Sequence, residues 1–426
     1  MIRWLFFFLF ILVFLRPHPD AFGALQAVYI GDFAVIILLV ISILIAWDRR
    51  GFPSKAVPWI GVGFMALIFL YTILILSGEA ALVIEASKFS YYFFLVVIFL
   101  YVFITPKSQV TYWWFNAALD VMVILLSIIA VIQLFEITIL KELVGSIWGT
   151  HKLRGLSSSS PRVFSSFYNA NWLGIVAAML LVTYMRRILL SSRVRAMDWG
   201  LALLCLFLLL SSGSRSGLLA MMVGVILLFF FGVLHTRLQL RSIRFILLCI
   251  LIGVSGVALL WPVLSDNQRI AEVMRFLSTG NIMDIPSAAI RIAQWVQSVN
   301  AMSDNLLFGL GKSGETLSPH NSFLFMALLF GVGGAAMVML VFFSLVIAMS
   351  KGFRKGRSVV PLVGILIAGS FTAEFFFTTQ VMLAFFLILA CWYESGSVNQ
   401  KVVEIGVDDP PYRQHSQQAG LARHNV

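Results

Sequence analysis

The sequence predicts an all-α protein, a polytopic transmembrane helical bundle of about 12 spans. Hydrophobic residues make up 60% of the 426 residues, charged residues only 12%, and the mean hydropathy is +0.97. Soluble globular chains are about 25% charged and roughly 45–50% apolar. A chain with this much apolar surface could not bury it in water, and its apolar runs approach the roughly 20 residues that a membrane span requires.

The apolar runs divide the chain into a long membrane domain and a short tail. The expected spans are residues 3–15, 28–46, 57–76, 89–105, 115–137, 167–185, 199–212, 216–234, 244–264, 321–349, 359–375 and 376–393. The first run resembles a signal peptide, but no small-residue cleavage site follows it, so we interpret it as a retained span. The sequence therefore predicts a transmembrane domain over residues 1–393 and a disordered cytoplasmic tail over residues 394–426.

The positive charges follow the turns between these runs. A formal net charge of +11 would also be compatible with nucleic acid binding. If the N-terminus is cytoplasmic, however, alternation of the spans places every dense basic cluster on the cytoplasmic side, at residues 48–55, 186–198, 235–244 and 351–357. This is the positive-inside pattern of membrane proteins. It predicts cytoplasmic N- and C-termini, contact with membrane lipids and no nucleic acid partner.

The opposite side carries two substantial segments, residues 141–166 and 265–320. The second is the largest loop of the chain, between the ninth and tenth spans, and a loop of this length usually has a function of its own. Its residues 290–302 predict an amphipathic helix at the membrane interface. The apolar residues of that helix share one face and the polar residues fall elsewhere: Ile292, Trp295, Val299 and Met302 against Arg291, Gln294 and Ser298.

The arginines on this side are exceptions to the positive-inside rule: Arg154, Arg162, Arg215 and Arg291. Arg215 is the strongest exception, because it lies in the short turn Leu210-Ser-Ser-Gly-Ser-Arg-Ser-Gly217 between two spans. A charge at the centre of a span costs roughly 2.5–3.5 kcal/mol, and less near its ends. The surrounding serines and glycines leave space and hydrogen-bond donors for an anion, and a guanidinium can bind two phosphate oxygens at once. The alternatives are contact with lipid headgroups or an ion pair with an acidic residue such as Glu374.

A histidine closes the large loop. His320 lies between Pro319 and Asn321, which predict the start of the tenth span at the water–lipid boundary. A histidine there could act as a general base near neutral pH. The alternative is a helix-terminal residue that is hydrogen-bonded to the backbone. No metal and no cofactor are expected, because metal-ligand spacing and a Gly-rich phosphate loop are both absent from the sequence, including around His18, His151, His235 and the three cysteines.

Three polar segments follow one another on this side. They are Arg162-Val-Phe-Ser-Ser-Phe-Tyr-Asn-Ala-Asn-Trp-Leu-Gly174, then Ser212-Gly-Ser-Arg-Ser-Gly217, and then a series from Arg291-Ile-Ala-Gln-Trp295 through Asn305-Leu-Leu-Phe-Gly-Leu-Gly311 to His320-Asn-Ser-Phe-Leu324 and Gly331-Val-Gly-Gly334. Together they resemble the bacterial O-antigen polymerase/ligase family, which consists of integral membrane glycosyltransferases that use lipid-linked sugars. The resemblance covers residues 150–350. In the first segment Ala170 and Gly174 stand where the family pattern has proline and alanine.

The resemblance implies a site on the periplasmic side of a bacterial inner membrane, beside the partly helical loop 265–320. The donor would be an undecaprenyl-diphosphate-linked oligosaccharide and the acceptor another saccharide, with a chain-length regulator and a flippase as protein partners. Arg215 and Arg291 would stabilise the diphosphate in place of a metal ion, and His320 would orient or deprotonate the acceptor hydroxyl. Further substrate contacts would come from Arg154, Arg162, Asn171 and Asn321.

The resemblance leaves two activities open. Our leading hypothesis is polymerisation of O-antigen or exopolysaccharide, by transfer of the growing chain onto an incoming lipid-linked repeat unit. The alternative is ligation of finished O-antigen to lipid A–core. A secondary transporter is less favoured, because transporters place charges at the midplane of paired repeats, whereas the unusual cations here lie at one rim. A structural scaffold or flippase partner would tolerate the loss of Arg215 or His320.

Overall fold

The computed structural model describes residues 57–76, 109–135, 162–190, 195–233, 278–311, 319–351, 359–373 and 378–392, apart from 168, 282, 284, 285, 379 and 390. It also describes the isolated positions 11, 15, 140, 142, 143, 147, 314 and 317. Within these residues every regular element is a helix, which confirms the predicted all-α class. The helices are α1 (Val57–Leu76), α2 (Gln109–Leu134), α3 (Ala170–Leu190), α4 (Ala196–Ser211), α5 (Arg215–Leu228), α6 (Pro286–Met302), α7 (Ser322–Lys351), α8 (Val360–Ser370) and α9 (Gln380–Leu389).

Several helices are suited to a lipid environment. By length and composition, four segments could cross a membrane: Val57–Ile75, Asn116–Leu134, Ala170–Leu189 and Ser322–Ala348. The helices α4, α5, α8 and α9 are apolar but shorter. Along α1 the large apolar side chains Phe64, Met65, Ile68 and Phe69 are exposed. A continuous apolar surface of this kind is stable against lipid tails rather than water, so the chain is a helical membrane protein.

The helices lie where the apolar runs predict spans. The bounds of α1 are those predicted, and α2 to α5 and α7 to α9 differ from the predicted spans by a few residues. The turn that the sequence leaves unclear between the last two spans begins at Phe371, where Thr372 donates both its amide and its hydroxyl to the Gly369 carbonyl. The predicted spans 28–46, 89–105 and 244–264, most of 3–15 and the tail lie outside the described residues, so the count of 12 stays a prediction.

The helix α3 lies at the centre of the described bundle. It packs against α4, α5 and α8, while α2 packs against α4, and α1 packs along α7. Its residues 173–184 are all buried. A helix that is apolar on every side is expected where other helices surround it, and α3 therefore provides the framework on which the neighbouring helix ends are arranged.

Glycines allow α3 and α5 to approach each other closely at one end. A Cβ atom at Gly217 would lie 2.7 Å from the backbone carbonyl carbon of Gly174, and one at Gly174 would lie 2.5 Å from the Cβ of Ser214. Small residues at a helix crossing let two backbones meet without intervening side chains. The contact brings the first turn of α5, which begins with Arg215, next to the first turn of α3.

A kink in α7 receives the turn that follows α6. Gly331 lies within α7 and has φ +71°, a left-handed conformation that glycine adopts without strain. At this kink the Val332 amide donates to the Leu306 carbonyl at 2.9 Å, and the Leu310 amide donates to the Leu328 carbonyl at 2.6 Å. The predicted Gly309-x-Gly311 turn thus occupies the kink and satisfies backbone groups that a bent helix would leave unpaired. The end of the large loop is thereby fixed to α7.

The end of the bundle away from this glycine contact contains a buried ionic cluster. Arg187 of α3 forms an ion pair with Asp120 of α2 at 2.9 Å and donates a second hydrogen bond to Asn116. The Tyr184 hydroxyl donates to the same Asp120 oxygen at 2.8 Å. Arg187 lies 16 residues after Asn171, or about 24 Å along the helix axis at 1.5 Å per residue. The cluster therefore joins α2 to α3 far from the first turn of α3.

We expect Asp120→Ala to destabilise the fold by about 3–5 kcal/mol, because it leaves the Arg187 charge buried without its carboxylate. Thermal unfolding of the detergent-solubilised protein measures the change. Thr72→Ala is the control, since Thr72 is exposed and its hydroxyl bonds only to the Ile68 carbonyl of its own helix. An Asp120→Ala variant as stable as the Thr72→Ala variant would show that the ion pair contributes nothing to the fold.

Candidate active site

The first turns of α3 and α5 are joined by hydrogen bonds from Arg162. Its Nε donates to the Ser212 carbonyl at 3.0 Å, and its Nη2 donates to Oδ1 of Asn171 at 2.8 Å. The Ser214 hydroxyl donates to the same Asn171 oxygen at 3.2 Å. Arg162 and Asn171, two predicted site residues, are therefore in direct contact with the turn that carries Arg215.

The serine hydroxyls of this turn form hydrogen bonds with its backbone. Ser214 caps α5, because its hydroxyl accepts a hydrogen bond from the Gly217 amide at 3.0 Å. The Ser212 hydroxyl donates to the Leu209 carbonyl at 2.7 Å and accepts from the Ser214 amide at 3.2 Å. The sequence predicts these hydroxyls as donors to an anion, whereas the structure uses them to end α4 and begin α5. Arg215 is the first residue of α5, and its anion-binding role stays a prediction.

Arg291 of α6 lies within reach of the charge of Arg215. The pKa of Arg291 is lowered from its ordinary value, first because its side chain is partly buried and second because of the Arg215 charge. Within the described part of the chain no carboxylate forms an ion pair with Arg291. Two like charges held close together repel each other, and an anion between them would relieve that repulsion. Anion binding by Arg215 and Arg291 stays a prediction at this point.

His320 lies at the start of α7 and is tied to α6. The indole Nε1 of Trp295 donates to the Pro319 carbonyl at 2.8 Å. His320 itself is exposed and has φ +52°, a left-handed conformation that is uncommon for residues other than glycine. Asn321 caps α7, since its Oδ1 accepts from the amides of Phe323 and Leu324 at 3.0 and 3.1 Å. The predicted helix start is confirmed, and the side-chain oxygen of Asn321 is used in this cap.

A turn between α8 and α9 links the starts of α5 and α7. The Ser216 hydroxyl donates to the Thr372 carbonyl at 3.5 Å, and the Ser322 hydroxyl donates to the Ala373 carbonyl at 2.6 Å. Arg215 precedes the first of these serines and His320 lies two residues before the second. We call the residues that these contacts gather at one end of the bundle the polar rim: Arg162, Asn171, Ser212, Ser214, Arg215, Arg291, Trp295 and His320.

The structure therefore brings most of the predicted site residues to one place. Arg162, Asn171 and Arg215 are joined by the turn before α5, Arg291 lies within reach of the Arg215 charge, and His320 is connected to α6 through Trp295. Arg154 and Glu374 lie outside the described residues. The catalytic and substrate-binding roles of all these residues stay predictions, since position alone does not establish a role.

Sequence reasoning missed Gln133, which holds the segment that carries Arg162. Its Oε1 accepts from the amides of Phe164 and Ser165 at 3.1 and 2.8 Å, and its Nε2 donates to the Ser165 carbonyl at 3.0 Å. Ser165 has φ +49°, so the hydrogen bonds of the Gln133 side chain stabilise a turn with a left-handed residue. A glutamine at the end of an apolar span is the sequence signal that could have identified it, because polar groups at that depth usually have a function.

The polar rim offers arginines rather than metal ligands. Among the described residues no group of three or more His, Cys, Asp or Glu side chains could hold a metal ion. Two of the cysteines, Cys205 and Cys391, are buried and form no disulfide within the described part of the chain. Positive charge for a bound anion would come from Arg162, Arg215 and Arg291.

If the polar rim is the active site that the sequence resemblance implies, Trp295→Phe should lower glycan transfer by up to about tenfold, because the lost hydrogen bond to Pro319 would free the backbone that holds His320. Trp392→Phe is the matched control. The Trp392 indole donates to Thr183 at 2.9 Å at the other end of the bundle, so its removal should destabilise the fold without a selective loss of activity. Initial transfer rates and unfolding temperatures of both variants test this. A transfer rate of Trp295→Phe equal to that of Trp392→Phe would contradict a positioning role for Trp295.

Part of the chain matches a known protein family. Residues 200–339 match the family model described as O-antigen ligase. The matched part runs from α4 into α7 and includes Arg215, Arg291 and His320, whereas Arg162 and Asn171 precede it. The match supports a glycosyltransferase-type enzyme. No curated protein matches the chain.

Proposed function

We propose that the chain, whose residues 200–339 match the O-antigen ligase family model, transfers an undecaprenyl-diphosphate-linked glycan to a saccharide acceptor. The leading activity is polymerisation of O-antigen or exopolysaccharide repeat units. The observation that carries the proposal is the turn before Arg215, where Arg162 and Asn171 are hydrogen-bonded to Ser212 and Ser214, within reach of the Arg291 charge.

A lipid diphosphate fits the charge of this site. The diphosphate that joins a sugar to a polyprenyl chain carries two negative charges, which the guanidinium groups of Arg215 and Arg291 can balance. Each guanidinium can donate to two oxygens at once, and such charge-assisted hydrogen bonds are about twice as strong as neutral ones. Because the rim ends an apolar bundle, the polyprenyl chain can stay in lipid while its diphosphate reaches the arginines.

The reaction follows from the groups of the rim. The acceptor hydroxyl oxygen attacks the anomeric carbon of the donor sugar, and the bond between that carbon and the phosphate oxygen breaks. The electron pair leaves with the diphosphate, whose added negative charge Arg215 and Arg291 stabilise in the transition state. His320 accepts the hydroxyl proton. The exposed position of His320 at the start of α7 leaves room for the acceptor.

The arginines take the role that a divalent cation plays in many enzymes that act on diphosphates. Their charge is fixed at neutral pH, so they can balance the leaving group without a metal ion. We therefore propose that transfer requires no metal and no cofactor, and that activity persists in an excess of EDTA.

We place the polar rim at the periplasmic side of the bacterial inner membrane. The opposite end of the bundle carries Arg186, Arg187 and Arg195 beside a basic loop, which supports a cytoplasmic location for that end. A chain of 12 spans over residues 1–393 would then have both termini, including the tail 394–426, in the cytoplasm. A flippase would supply the donor to this side, and a chain-length regulator would act on the growing product.

Ligation of O-antigen to lipid A–core is the second candidate, because the description of the matched family names the ligase. Both activities use the same donor and differ only in the acceptor. The contacts of Arg162, Arg215 and Arg291 with the donor would be the same in either case.

Purified protein supplied with undecaprenyl-diphosphate-linked repeat units tests the proposal. Lengthening of the lipid-linked chains with donor alone is the expected result and identifies a polymerase. A reaction that begins only when lipid A–core is added identifies a ligase. If neither mixture releases undecaprenyl diphosphate, the chain is not a glycosyltransferase of this kind.

A further inference from the structure

The face of α6 that points into the protein carries buried polar atoms without partners. The Oε1 of Gln294 and the hydroxyl of Ser298 are buried, and neither forms a hydrogen bond within the part of the chain that the structure describes. The Ser298 residue is 0% exposed. Buried polar groups in folded proteins almost always have a partner, and one without a partner destabilises the structure that contains it.

These two residues share a helix face with Arg291. Positions 291, 294 and 298 are separated by three and four residues, so their side chains lie above one another on α6. At 1.5 Å per residue, Gln294 lies about 4.5 Å and Ser298 about 10.5 Å further along the axis than Arg291. The Trp295 contact to Pro319 is on the same face. This helix face therefore extends from Arg291 along α6.

The two sides of α6 do not separate apolar from polar residues as the sequence predicts. Val296 and Val299 are exposed, but so is the polar Gln297, whereas Met302 is buried like Ser298. The predicted helix is confirmed as a helix, and the three polar residues that share a face in the prediction are at least partly buried. A lipid environment on the outer side explains the exposed apolar side chains. It does not explain the buried, unpaired polar ones.

Each unfavourable feature of this face would be relieved by the same kind of ligand. Arg291 is desolvated next to a like charge, and an anion would offset both effects. Gln294 Oε1 accepts hydrogen bonds, and the Ser298 hydroxyl can both donate and accept. A ligand with an anionic group followed by hydroxyl groups matches this order of partners. A sugar attached to a diphosphate has that order of groups.

We propose that Gln294 and Ser298 are saccharide-binding residues that recognise hydroxyl groups of the sugar attached to the donor diphosphate. The inference rests on the proposed function, since Arg215 and Arg291 would hold that diphosphate. Both oxygens are covered in this structure, so a sugar would reach them only if α6 moved outward. The turn fixed in the α7 kink limits that movement at the C-terminal end of α6.

Binding of two lipids to the purified protein tests this inference. The first is the undecaprenyl-diphosphate-linked repeat unit and the second is undecaprenyl diphosphate, which has no sugar. We expect Gln294→Leu and Ser298→Ala each to weaken binding of the first about three- to tenfold and to leave binding of the second unchanged. Both variants should also unfold at the same or a higher temperature, because each removes an unpaired buried polar group.

The matched control is Gln297→Leu, which makes the same substitution on the exposed side of α6. Unchanged affinity for both lipids in Gln294→Leu and Ser298→Ala would overturn the saccharide-binding role while the proposed function stands. Equal weakening for both lipids would also overturn it, because the residues would then act through the diphosphate or the fold. If the wild-type protein binds neither lipid, the proposed function fails together with the inference.

Discussion

Replacing Arg215 by alanine should reduce glycan transfer by about 100- to 1,000-fold, the loss typical when one donor to a developing negative charge is removed. Arg215 is the first residue of α5, in a turn held by the Arg162–Asn171 pair and by the Ser214 cap. None of these contacts uses the Arg215 side chain, so the turn should stay folded without its guanidinium. Arg215→Lys should retain part of the activity, because an ammonium keeps the charge but not the two-pronged donor geometry.

Initial rates with undecaprenyl-diphosphate-linked repeat units give kcat/KM for each variant. Arg195→Ala is the matched control, because Arg195 is an arginine at the opposite end of the bundle that pairs with Asp198 at 3.1 Å. The control should transfer glycan at the wild-type rate. Polysaccharide of normal length and amount from cells that contain only Arg215→Ala would instead favour a scaffold or flippase partner over an enzyme.

Gly217→Ala should destabilise the bundle by about 1–3 kcal/mol and also reduce transfer. The new Cβ would lie 2.7 Å from the backbone of Gly174, and a backbone atom cannot move aside as a side chain can. The helices α3 and α5 must then separate, which moves Arg215 away from Asn171. A displacement of about 1 Å can lower an enzymatic rate about 100-fold.

Gly200→Ala is the control, because nothing lies within 4 Å of a Cβ at that position in α4. It should leave stability unchanged or raise it by up to about 1 kcal/mol, as alanine is the better helix former. Unfolding temperatures in detergent and transfer rates separate the two variants. If Gly217→Ala is as stable and as active as Gly200→Ala, the close approach of α3 and α5 does not position the site.

The parts of the fold that depend on local sequence were predictable. The apolar run 57–76 gives α1 its observed bounds, because the length of a membrane helix is set by the thickness of the lipid. The start of α7 follows from Asn321, whose side chain caps the helix it precedes. Arg162, Arg215 and Arg291 could be selected as site candidates because topology does not require positive charge on their side of the membrane.

The remaining features depend on contacts between distant segments. The kink at Gly331 is filled by the turn after α6, and the turn at Thr372–Ala373 bridges α5 and α7, so neither arrangement follows from its own sequence. The periodicity of α6 groups Arg291, Gln294 and Ser298, but it does not say which face meets the protein. Val299 is exposed and Met302 is buried although the periodicity groups them, because the surroundings of the helix decide which side chains are covered.

The central claim is that Arg215 and Arg291 together bind a lipid diphosphate. Its most direct test is the affinity of the purified protein for undecaprenyl diphosphate compared with undecaprenol, which lacks the diphosphate. The wild-type protein should prefer the diphosphate by at least about 100-fold, and Arg215→Ala and Arg291→Ala should each reduce that preference by at least about tenfold. Equal affinity of the wild-type protein for the two lipids, or an unchanged preference in both variants, would contradict the claim.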